Sequence, residues 1–453
     1  MRIAVVGGGI SGLVAAYRLR QRLGDSADIV VLEQGGRVGG VLHTRELAGE
    51  PVDLGAEAFV GRRPEVIELM SELGLDDQLV RPAGKRPLIW ARGSAHPLPG
   101  RTLMGIPSDA ESLRGLVDDA TLDRVATEPR RPLRWEPGSD VDVQTLVGDR
   151  FGTQVVERSV DPLLGGVYAG VSASIGIRAA LPTLAEALDN GAASLTEAIR
   201  AAMPAPSSAP VFGGLRDGYG ALLAALTAAS RARLVTTTAA TRIAHAPGGW
   251  VVDPLGAVDA VVVATPAPVA ARLLHYVAPA AARAAAGIEL SSSALVAMAL
   301  PRETALPDNS GILVATGEPL RAKAFTLSSR KWPHLAAREV ALVRASFGRL
   351  GDDTPLSWTD DDLIAAAVAD LATVTGIPIT PLEAVVQRWP GGLPQYAPGH
   401  TERIATLESA VASLDGLAVA GAYLHGVGVP ACVASGTAAA GRISADLASA
   451  DHG

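Results

Sequence analysis

The sequence predicts an α/β protein that contains at least one parallel sheet. Two observations support this: short apolar runs typical of strands recur along the chain, and alanine- and leucine-rich segments of helical spacing lie between many of them. The chain has 453 residues, more than the about 250–300 at which one core stops growing, so several domains are expected. The predicted strands are Ile3–Val6, Ile29–Leu32, Leu234–Thr238, Trp250–Val252, Ala260–Ala264, Ala294–Leu300, Glu339–Phe347 and Leu417–Ala420.

Other segments interrupt this alternation. The turn Ala246–Gly249 lies between two apolar runs and predicts a hairpin. Thr127–Asp140 and Ala201–Pro210 are rich in proline, which predicts exposed loops or linkers. Between them, Val141–Arg200 is predicted to be mainly helical.

Composition excludes some functions. The net charge is −8 with no basic stripe of the kind that follows phosphates, so no nucleic-acid partner is expected. Cys432 is the single cysteine, which excludes an intramolecular disulfide and a thiolate metal cluster; we interpret it as a small buried hydrophobe. A strand that begins at Ile3 leaves no room for a signal peptide, so a cytoplasmic location is expected.

The stretch Leu417–Gly441 carries no formally charged residue and raises the question of a membrane span. Its five glycines and Pro430 would weaken such a helix. We therefore interpret it as a strand and a turn followed by a helix over Ala434–Ile443, with no transmembrane span. The mean hydropathy of +0.26 leaves peripheral contact with a membrane open.

A glycine motif follows the first strand directly. In Gly7-Gly8-Gly9-Ile10-Ser11-Gly12, Gly7 permits a tight turn, and Gly9 lets the backbone N–H groups that follow, at Ile10 and Ser11, approach a pyrophosphate. Gly12 lets the helix Leu13–Leu23 pack on the strand. The second strand ends at Glu33, whose carboxylate can accept a hydrogen bond from a ribose hydroxyl. Together these features predict a dinucleotide-binding βαβ unit.

The residues after Glu33 favour FAD among the dinucleotides. They read Gln34-Gly35-Gly36-Arg37-Val38-Gly39-Gly40, an acid followed four residues later by R-x-G-G. Arg37 offers a fixed cation, and Gly39 and Gly40 offer close backbone donors, which suits the extended pyrophosphate of FAD. The alternative is a glycine-rich surface turn with a solvated arginine.

The E-x-x-x-R-x-G-G arrangement resembles the amine-oxidase superfamily of FAD enzymes, which includes monoamine oxidases, phytoene desaturases and protoporphyrinogen oxidases. The acidic D-x-G-A stretch of that family is matched by Asp53-Leu54-Gly55-Ala56-Glu57. The run Trp389–His400 is similar to the W-x-x-x-x-P-Q-Y-x-x-G-H run of the porphyrinogen oxidases, and Asp161–Gly170 and Gly213–Tyr219 resemble further segments of that group.

The resemblance implies further cofactor contacts. Gly55, Ala56, Glu57 and Trp389 are expected at the FAD site on this ground. A C-terminal segment is expected to close over the flavin with the backbone of Gly421, Val427, Gly428 and Val429. Val235 stands where the family holds adenine through a backbone amide and carbonyl; an ordinary core strand explains it equally well.

The resemblance also implies a reaction. Porphyrinogen oxidases remove six electrons from a tetrapyrrole in three two-electron steps, and O₂ reoxidises the flavin and is released as H₂O₂. Such a substrate needs a large apolar pocket and cations for its propionates, while the flavin carries the chemistry, so no catalytic side chain and no metal are expected. His43 and His400 are accordingly not predicted to act as bases, and His400 is expected to orient its loop.

Several residues are candidates for the substrate site. Arg62 and Arg63 follow the Asp53–Glu57 segment and are predicted to bind propionates; the alternative is a solvated pair before a helix that begins near Pro64. Tyr168 and Leu327 are predicted to line the pocket, with plain core as the alternative. Secondary cationic candidates are Lys85, Arg86 and Lys323.

The choice of porphyrinogen rests on association. The alanine-, glycine- and arginine-rich composition resembles actinobacterial proteins, whose heme route passes through coproporphyrin, so we favour coproporphyrinogen III over protoporphyrinogen IX. The product coproporphyrin III could then pass to a ferrochelatase, which is an expected partner. Amine or amino-acid oxidation is a further alternative, disfavoured because the sequence is poor in aromatic residues.

The full fold prediction is therefore an FAD-binding, Rossmann-like doubly wound domain joined to a mixed-sheet substrate domain of α+β type and a helical domain. The predicted FAD-binding domain comprises residues 1–60, 211–270 and 385–453. The predicted substrate-binding domain comprises residues 61–88 and 271–384, and the helical domain residues 89–210.

Overall fold

The computed structural model describes residues 1–205 and 210–450, and a five-stranded parallel sheet lies at its centre. Four of its five strands are buried almost throughout, as expected when both faces are covered, and only the edge strand Arg233–Val235 is partly exposed. In spatial order they are Arg233–Val235, Asp28–Leu32, Arg2–Val6, Ala260–Val263 and Leu417–Val419. This sheet confirms the predicted α/β class.

Helices cover both faces of the parallel sheet. The first helix, Ile10–Leu23, and the last helix, Val429–Ala450, pack together on one face, where alanines at positions 15, 16, 439 and 440 keep them close. On the other face lie three helices and a three-stranded antiparallel sheet. These elements are Ala267–Leu274, Pro279–Ala286, His400–Ala412, Arg242–Ala246, Gly249–Asp253 and Gly256–Val258. The first two of these strands form the predicted hairpin, with Ala246 opposite Gly249.

A second, seven-stranded sheet is mixed. All neighbouring pairs are antiparallel except Gly311–Val314 with Leu88–Ala91. In spatial order its strands are Glu383–Pro394, Leu290–Pro301, Val340–Phe347, Ala324–Thr326, Gly311–Val314, Leu88–Ala91 and Ser94–Pro97. The helix Asp360–Thr375 covers one face and forms an apolar core with it.

A helical layer packs against the far end of the seven-stranded sheet. It confirms the prediction that residues 141–200 are mainly helical. Its longer helices are Asp119–Thr127, Val143–Phe151, Asp161–Tyr168, Pro182–Asp189 and Leu195–Ala202. Within the predicted linker 201–210, positions 206–209 lie outside the described residues.

The remaining elements are short. Small antiparallel pairings join Thr44–Leu47 to Glu50–Asp53, Thr102–Leu103 to Ile106–Pro107, and Phe212–Leu215 to both Phe59–Val60 and Leu79–Val80. Further helices are Glu65–Glu72, Tyr219–Ser230, Thr153–Val155, Ile177–Ala180, Ser328–Lys331, Pro333–Ala336 and Thr354–Ser357, and Val156–Val160 forms a π-helical turn.

All eight predicted strands are present, with ends shifted by a few residues. The strand predicted to reach Thr238 ends at Val235, because Thr237 adopts a left-handed backbone with φ of 53°. The uncharged stretch forms a strand, a turn and a helix as predicted, although the helix begins earlier, at Val429. Across residues 1–205 and 210–450, no helix has the length and apolar character needed to cross a bilayer.

The seven-stranded sheet extends beyond the predicted boundary at residue 88, since Ser94–Pro97 forms its edge strand. We propose that the substrate-binding domain includes this strand, and the other domain boundaries stay predictions.

A buried ion pair fixes the helical layer. The Glu128 side chain is fully buried, and its carboxylate pairs with the Arg150 guanidinium at 2.6 Å. The same carboxylate accepts the backbone N–H groups of Leu195 and Thr196 at the start of a helix. Because each buried charge depends on the other, removing one partner is costly.

We expect Glu128→Ala to lower the free energy of unfolding by about 3–5 kcal/mol, because it leaves the Arg150 charge buried and unpaired. Chemical denaturation measures this change. The control Glu111→Ala removes an exposed pair with Arg114 and should cost less than about 1 kcal/mol. Equal losses in the two variants would contradict this role for Glu128.

Candidate functional site

The glycine loop lies at the carboxyl edge of the parallel sheet. Gly7 has a φ of 107° and donates its N–H to the Leu32 carbonyl at 2.8 Å. A Cβ at Gly12 would lie 1.9 Å from the Gly7 carbonyl oxygen, so only glycine allows the helix to come this close. Ile10 and Ser11 begin the helix directly behind the loop, where its free N–H groups favour an anion.

Gly9 leaves open space in front of this helix. No heavy atom of the described residues, apart from its chain neighbours, comes within 4 Å of the position that a Cβ at Gly9 would take. Its backbone is extended, with φ of −70°, so the glycine is not required by strain. The clearance suits close approach of a pyrophosphate to the backbone.

The R-x-G-G loop packs against the glycine loop. The N–H of Gly39 donates to the Gly8 carbonyl at 2.7 Å, and Gly40 lies beside Gly9. Arg37 donates hydrogen bonds to the carbonyls of its own loop at positions 38, 40 and 42. The Arg37 guanidinium also lies 5.8 Å from the centre of the Trp389 ring. The cation predicted from the motif is therefore held in a fixed position.

Glu33 ends its strand with an anchored carboxylate. One oxygen accepts the Gly8 N–H at 2.8 Å and the other accepts the Gly35 N–H at 2.6 Å. Each oxygen keeps acceptor capacity for a ribose hydroxyl. The Glu33 N–H binds the Val235 carbonyl, so Val235 lies beside this end of the loop, and Gln34 is exposed next to it.

The C-terminal segment meets the same site. Gly428 precedes the last helix, which begins at Val429, so a second helix N-terminus lies near the first. The helices are closest where a Cβ at Gly436 would lie 2.3 Å from the Ser11 carbonyl oxygen. Gly421, with φ of 146°, donates its N–H to the Ser435 hydroxyl, and Val427 is half-buried nearby.

Thr265 is a candidate site residue that was not predicted from the sequence. It lies just beyond the carboxyl end of the strand Ala260–Val263, and its backbone N lies 3.3 Å from the position of a Cβ at Gly7. Its hydroxyl is buried and, among the described residues, has no hydrogen-bond partner. The position of Thr265, just after a predicted parallel strand, could have suggested a site residue, because ligands bind at the carboxyl edge of such a sheet.

The described residues therefore fit an extended dinucleotide. Two helix N-termini, an open glycine position, an anchored carboxylate and an unpartnered hydroxyl meet at one edge of the sheet. Such a set provides donors for the pyrophosphate and an acceptor for the ribose.

The Asp53–Glu57 segment links this edge to the seven-stranded sheet. Trp389 donates its indole N–H to the Leu54 carbonyl at 2.8 Å, and the residues at positions 55–58 are half-buried. Asp53 accepts the Tyr219 N–H at 3.0 Å; burial raises the pKa of its carboxyl to about 6, although hydrogen bonds from Thr44 and Tyr219 oppose this. Asp53 thus fixes the start of a helix rather than facing solvent.

Glu57 belongs to a buried charge cluster. Its carboxylate pairs with the Lys331 ammonium at 2.9 Å, lies 3.6 Å from the Arg344 guanidinium, and accepts the Ser328 hydroxyl. Burial raises the pKa of this carboxyl, but Lys331 and Arg344 outweigh burial and hold the pKa well below its usual range. Arg344 also donates to the Gly55 carbonyl, and its Nε is buried without a partner among the described residues.

One face of the seven-stranded sheet is left partly open. Leu295 and Ala297 on this face pack against Leu54 and the hairpin Thr44–Asp53, which follow the dinucleotide-binding unit in the chain, while Ile89 packs into the helical layer. Between them, Ser346, Ala324 and Leu313 lie side by side on adjacent strands and are half-buried. Half-buried residues in the middle of a sheet indicate a cavity between the two covering layers.

The predicted substrate residues occupy different places. Tyr168 ends a helix of the helical layer with its ring 5.8 Å from that of Tyr396, and burial raises its pKa to about 12. Its carbonyl accepts the Ser291 hydroxyl, which ties it to the sheet. Arg62 and Arg63 are exposed before the helix Glu65–Glu72, and Arg63 pairs with Glu65.

The structure places Leu327 away from the open face. It is fully buried in the core beneath the helix Asp360–Thr375, with Phe325. Side chains alternate along a strand, so Ala324 and Thr326, which are half-buried, point to the opposite face. The prediction that Leu327 lines the pocket is therefore wrong, and we propose Thr326 and Ala324 in its place.

The other candidates are mostly structural. Lys85 pairs with Asp308, and Arg86 donates to the carbonyls of Leu98 and Pro99. His400 is buried, stacks on Tyr396 at 4.0 Å and has a polar contact with the Leu424 carbonyl, which matches the expectation that it orients a loop.

His43 and Cys432 complete the candidates. His43 shares a hydrogen bond with Gln387 at 3.0 Å, and burial lowers its pKa. Cys432 is buried, as interpreted from the sequence.

Comparison with known proteins gives the family. The family described as flavin containing amine oxidoreductase matches residues 10–444. The chain belongs to this family. As a flavin-containing amine oxidoreductase it is an FAD-dependent oxidoreductase, which confirms the resemblance and the cofactor that its motifs predicted.

Individual relatives of this flavin-containing amine oxidoreductase are similar over their whole length. The coproporphyrinogen III oxidase of Mycobacterium tuberculosis is 52% identical over 442 residues, which cover 97% of this chain and 95% of that protein. A solved structure from Exiguobacterium, provisionally named a protoporphyrinogen oxidase, has a TM-score of 0.87 at 29% identity and covers 98% of this chain and 99% of its own. The cyclohexylamine oxidase of Brevibacterium oxydans, at 16% identity, TM-score 0.71 and 99% coverage of both chains, shares the fold.

We expect Gly9→Ala to leave the fold of the apoprotein intact but to weaken FAD binding by about tenfold or more, because the added methyl group occupies the approach to the helix. Flavin fluorescence titration gives the affinity, and thermal unfolding reports the fold. The control Gly166→Ala adds a methyl group into equally open space in the helical layer. Unchanged FAD affinity in Gly9→Ala would show that this position is not the phosphate cradle.

We expect Thr265→Val to weaken FAD binding by about five- to tenfold, because one hydrogen bond to the cofactor is lost. The apoprotein should be as stable as wild type or more stable, because an unpartnered buried hydroxyl is removed. The same two measurements apply, with Thr373→Val on an exposed helix position as the control. Reduced apoprotein stability with unchanged affinity would assign the hydroxyl a purely structural role.

Proposed function

We propose that this enzyme oxidises coproporphyrinogen III to coproporphyrin III, transferring six electrons in three two-electron steps to three molecules of O₂, which leave as H₂O₂. The observation that carries the proposal is the half-buried sheet face between the dinucleotide-binding unit and the helical layer. It offers a site for a large, mostly apolar substrate. The name of the Mycobacterium tuberculosis relative supports the choice of substrate.

Bound FAD would supply the hydride acceptor for these steps. The side chains of the proposed site then have to hold and orient the macrocycle and exclude water. Ala324 and Leu313 provide apolar contact on the sheet, and Tyr168 provides it from the helical layer. The cluster of Lys331, Arg344 and Glu57 has two cations and one carboxylate, so its net charge of about +1 favours an acidic arm of the substrate.

We propose that the residues predicted from the sequence motifs and the family resemblance contact the cofactor. Gly7, Gly9, Ile10, Ser11 and Gly12 serve the pyrophosphate from the first helix. Gly421, Val427 and Gly428 in the preceding loop, and Val429 at the start of the last helix, serve the cofactor from the C-terminal segment. The other proposed residues are Glu33, Gln34, Arg37, Gly39, Gly40, Gly55, Ala56, Glu57, Val235 and Trp389. We propose Thr265 as an addition to this set.

A second candidate is oxidation of protoporphyrinogen IX. The name of the Exiguobacterium structure favours it, since that chain shares the fold over 98% of the present one. We also propose that the product passes to a ferrochelatase, because metal insertion is the reaction class that consumes a porphyrin. Cytoplasmic location and peripheral membrane contact stay predictions.

We expect coproporphyrinogen III to bleach the flavin absorbance of the FAD-loaded protein under anaerobic conditions, and air to restore it with release of H₂O₂. Protoporphyrinogen IX should bleach it more slowly, and amines such as cyclohexylamine should leave it unchanged. Stopped-flow absorbance gives the rates. Bleaching by an amine but by neither porphyrinogen would overturn the proposed function.

A further inference from the structure

Lys323 is a half-buried lysine, with an enclosed ammonium, at the border of the open sheet face. It immediately precedes Ala324 of that face, and its backbone N–H binds the carbonyl of Ser346, the residue opposite Ala324. The strand is therefore irregular at this point, and the usual alternation does not turn Lys323 to the other face. Its ammonium donates to the Gly348 carbonyl. Gly348 in turn packs against the backbone of Ser292 and Ser293 on the neighbouring strand. The ammonium therefore lies at the end of the sheet that also meets the helical layer.

The charge of Lys323 has no partner of opposite sign nearby. Within residues 1–205 and 210–450 it forms no ion pair with a carboxylate, and the charged group that acts on it is the Arg349 guanidinium. Arg349 is occupied by the Thr316 hydroxyl and the Val314 carbonyl. An unpaired buried ammonium is costly, so a protein that retains one places it where an anion binds.

Two cationic groups thus lie at opposite ends of the open face. Arg344 lies on the strand Val340–Phe347, and Gly348 follows the last residue of that strand, so extended chain of this length separates the two by about 13 Å. Ser346 lies midway and is half-buried. Arg344 keeps its Nε unpartnered at one end, and Lys323 keeps two unused N–H donors at the other.

We propose that Lys323 binds a carboxylate of the substrate at the end of the sheet remote from Arg344 and thereby selects macrocycles that carry acidic arms on opposite sides. This inference rests on the proposed function and specifies its substrate class. Coproporphyrinogen III carries a propionate on each of its four rings, whereas protoporphyrinogen IX carries its two propionates on one side. Cations at both ends of the face match coproporphyrinogen III, whose propionates lie on opposite sides of the macrocycle.

The protonation state of Lys323 should make substrate binding depend on pH. Burial, and then Arg349, lower the pKa of this amine to about 7. A bound carboxylate favours the ammonium and raises the pKa, so binding takes up a proton above about pH 7. The other charged groups packed around this region are Asp161 and Asp352 beside Arg349, and Asp370, which accepts the N–H groups of Arg321 and Ala322.

The test compares the affinity of the FAD-loaded protein for coproporphyrin III and protoporphyrin IX, the air-stable oxidised macrocycles, by fluorescence titration. Lys323→Met should weaken binding of coproporphyrin III by about 10- to 100-fold and that of protoporphyrin IX by less than about threefold. Wild type should bind coproporphyrin III more weakly as the pH rises above about 7, and the variant should lose this dependence.

The unfolding temperature of the Lys323 variants distinguishes a role in binding from a role in stability. Removing an unpaired buried charge should leave the unfolding temperature unchanged or raise it. Lys323→Gln, which keeps a donor for the Gly348 carbonyl, provides a second variant if Lys323→Met loses its flavin. The control Arg302→Met removes one positive charge from an exposed pair with Glu339 and should not alter either affinity.

The outcomes distinguish the two proposals. Wild type that reacts with coproporphyrinogen III, together with Lys323 variants that keep the preference for coproporphyrin III, would overturn the inference and leave the proposed function intact. Wild type that neither binds coproporphyrin III nor reacts with its porphyrinogen would overturn the proposed function itself. Loss of the preference in both Lys323 variants, but not in Arg302→Met, supports the inference.

Discussion

The close contact between the first helix, the first strand and the last helix is the constraint on which the cofactor site depends. Gly12 and Gly436 allow it, since a Cβ at either position would lie within 2.3 Å of a backbone oxygen. Because the helices approach so closely, both N-termini lie at the same edge of the sheet. A dinucleotide bound there faces the positive ends of two helices, contributed by opposite ends of the chain.

Much of this site could be predicted because its signals are local. Glycines at positions 7, 9 and 12, followed by an acid at the end of the next strand, specify a backbone shape as well as a sequence. The strands were predictable for a similar reason, since buried parallel strands are continuous apolar runs. Thr265 follows a predicted parallel strand, but no sequence pattern shows that its hydroxyl is left unpartnered near Gly7, because only the folded chain brings these residues together.

The substrate face was harder to predict because its residues are far apart in sequence. Glu57 pairs with Lys331, 274 positions later, and neither residue reveals the other. Leu327 shows a second limit of prediction from sequence. A shift of one position along a strand moves a side chain to the opposite face, and the residues that are half-buried on the open face are Ala324 and Thr326. Sequence proximity to the D-x-G-A stretch favoured Arg62 and Arg63, which are exposed, and left Lys323 as a secondary candidate, whereas the enclosed cationic groups are those of Lys323 and Arg344.

In the proposed enzyme, backbone groups hold the cofactor and a sheet holds the substrate. Under the proposed function the macrocycle lies on the face formed by Leu313, Ala324 and Ser346, between the cofactor and the helical layer. A crystal structure of the FAD-loaded protein with coproporphyrin III tests this most directly. The account predicts the macrocycle against Ser346, with one carboxylate at Lys323 and another near Arg344. A macrocycle bound at the exposed Arg62 and Arg63, with Lys323 uncontacted, would contradict it.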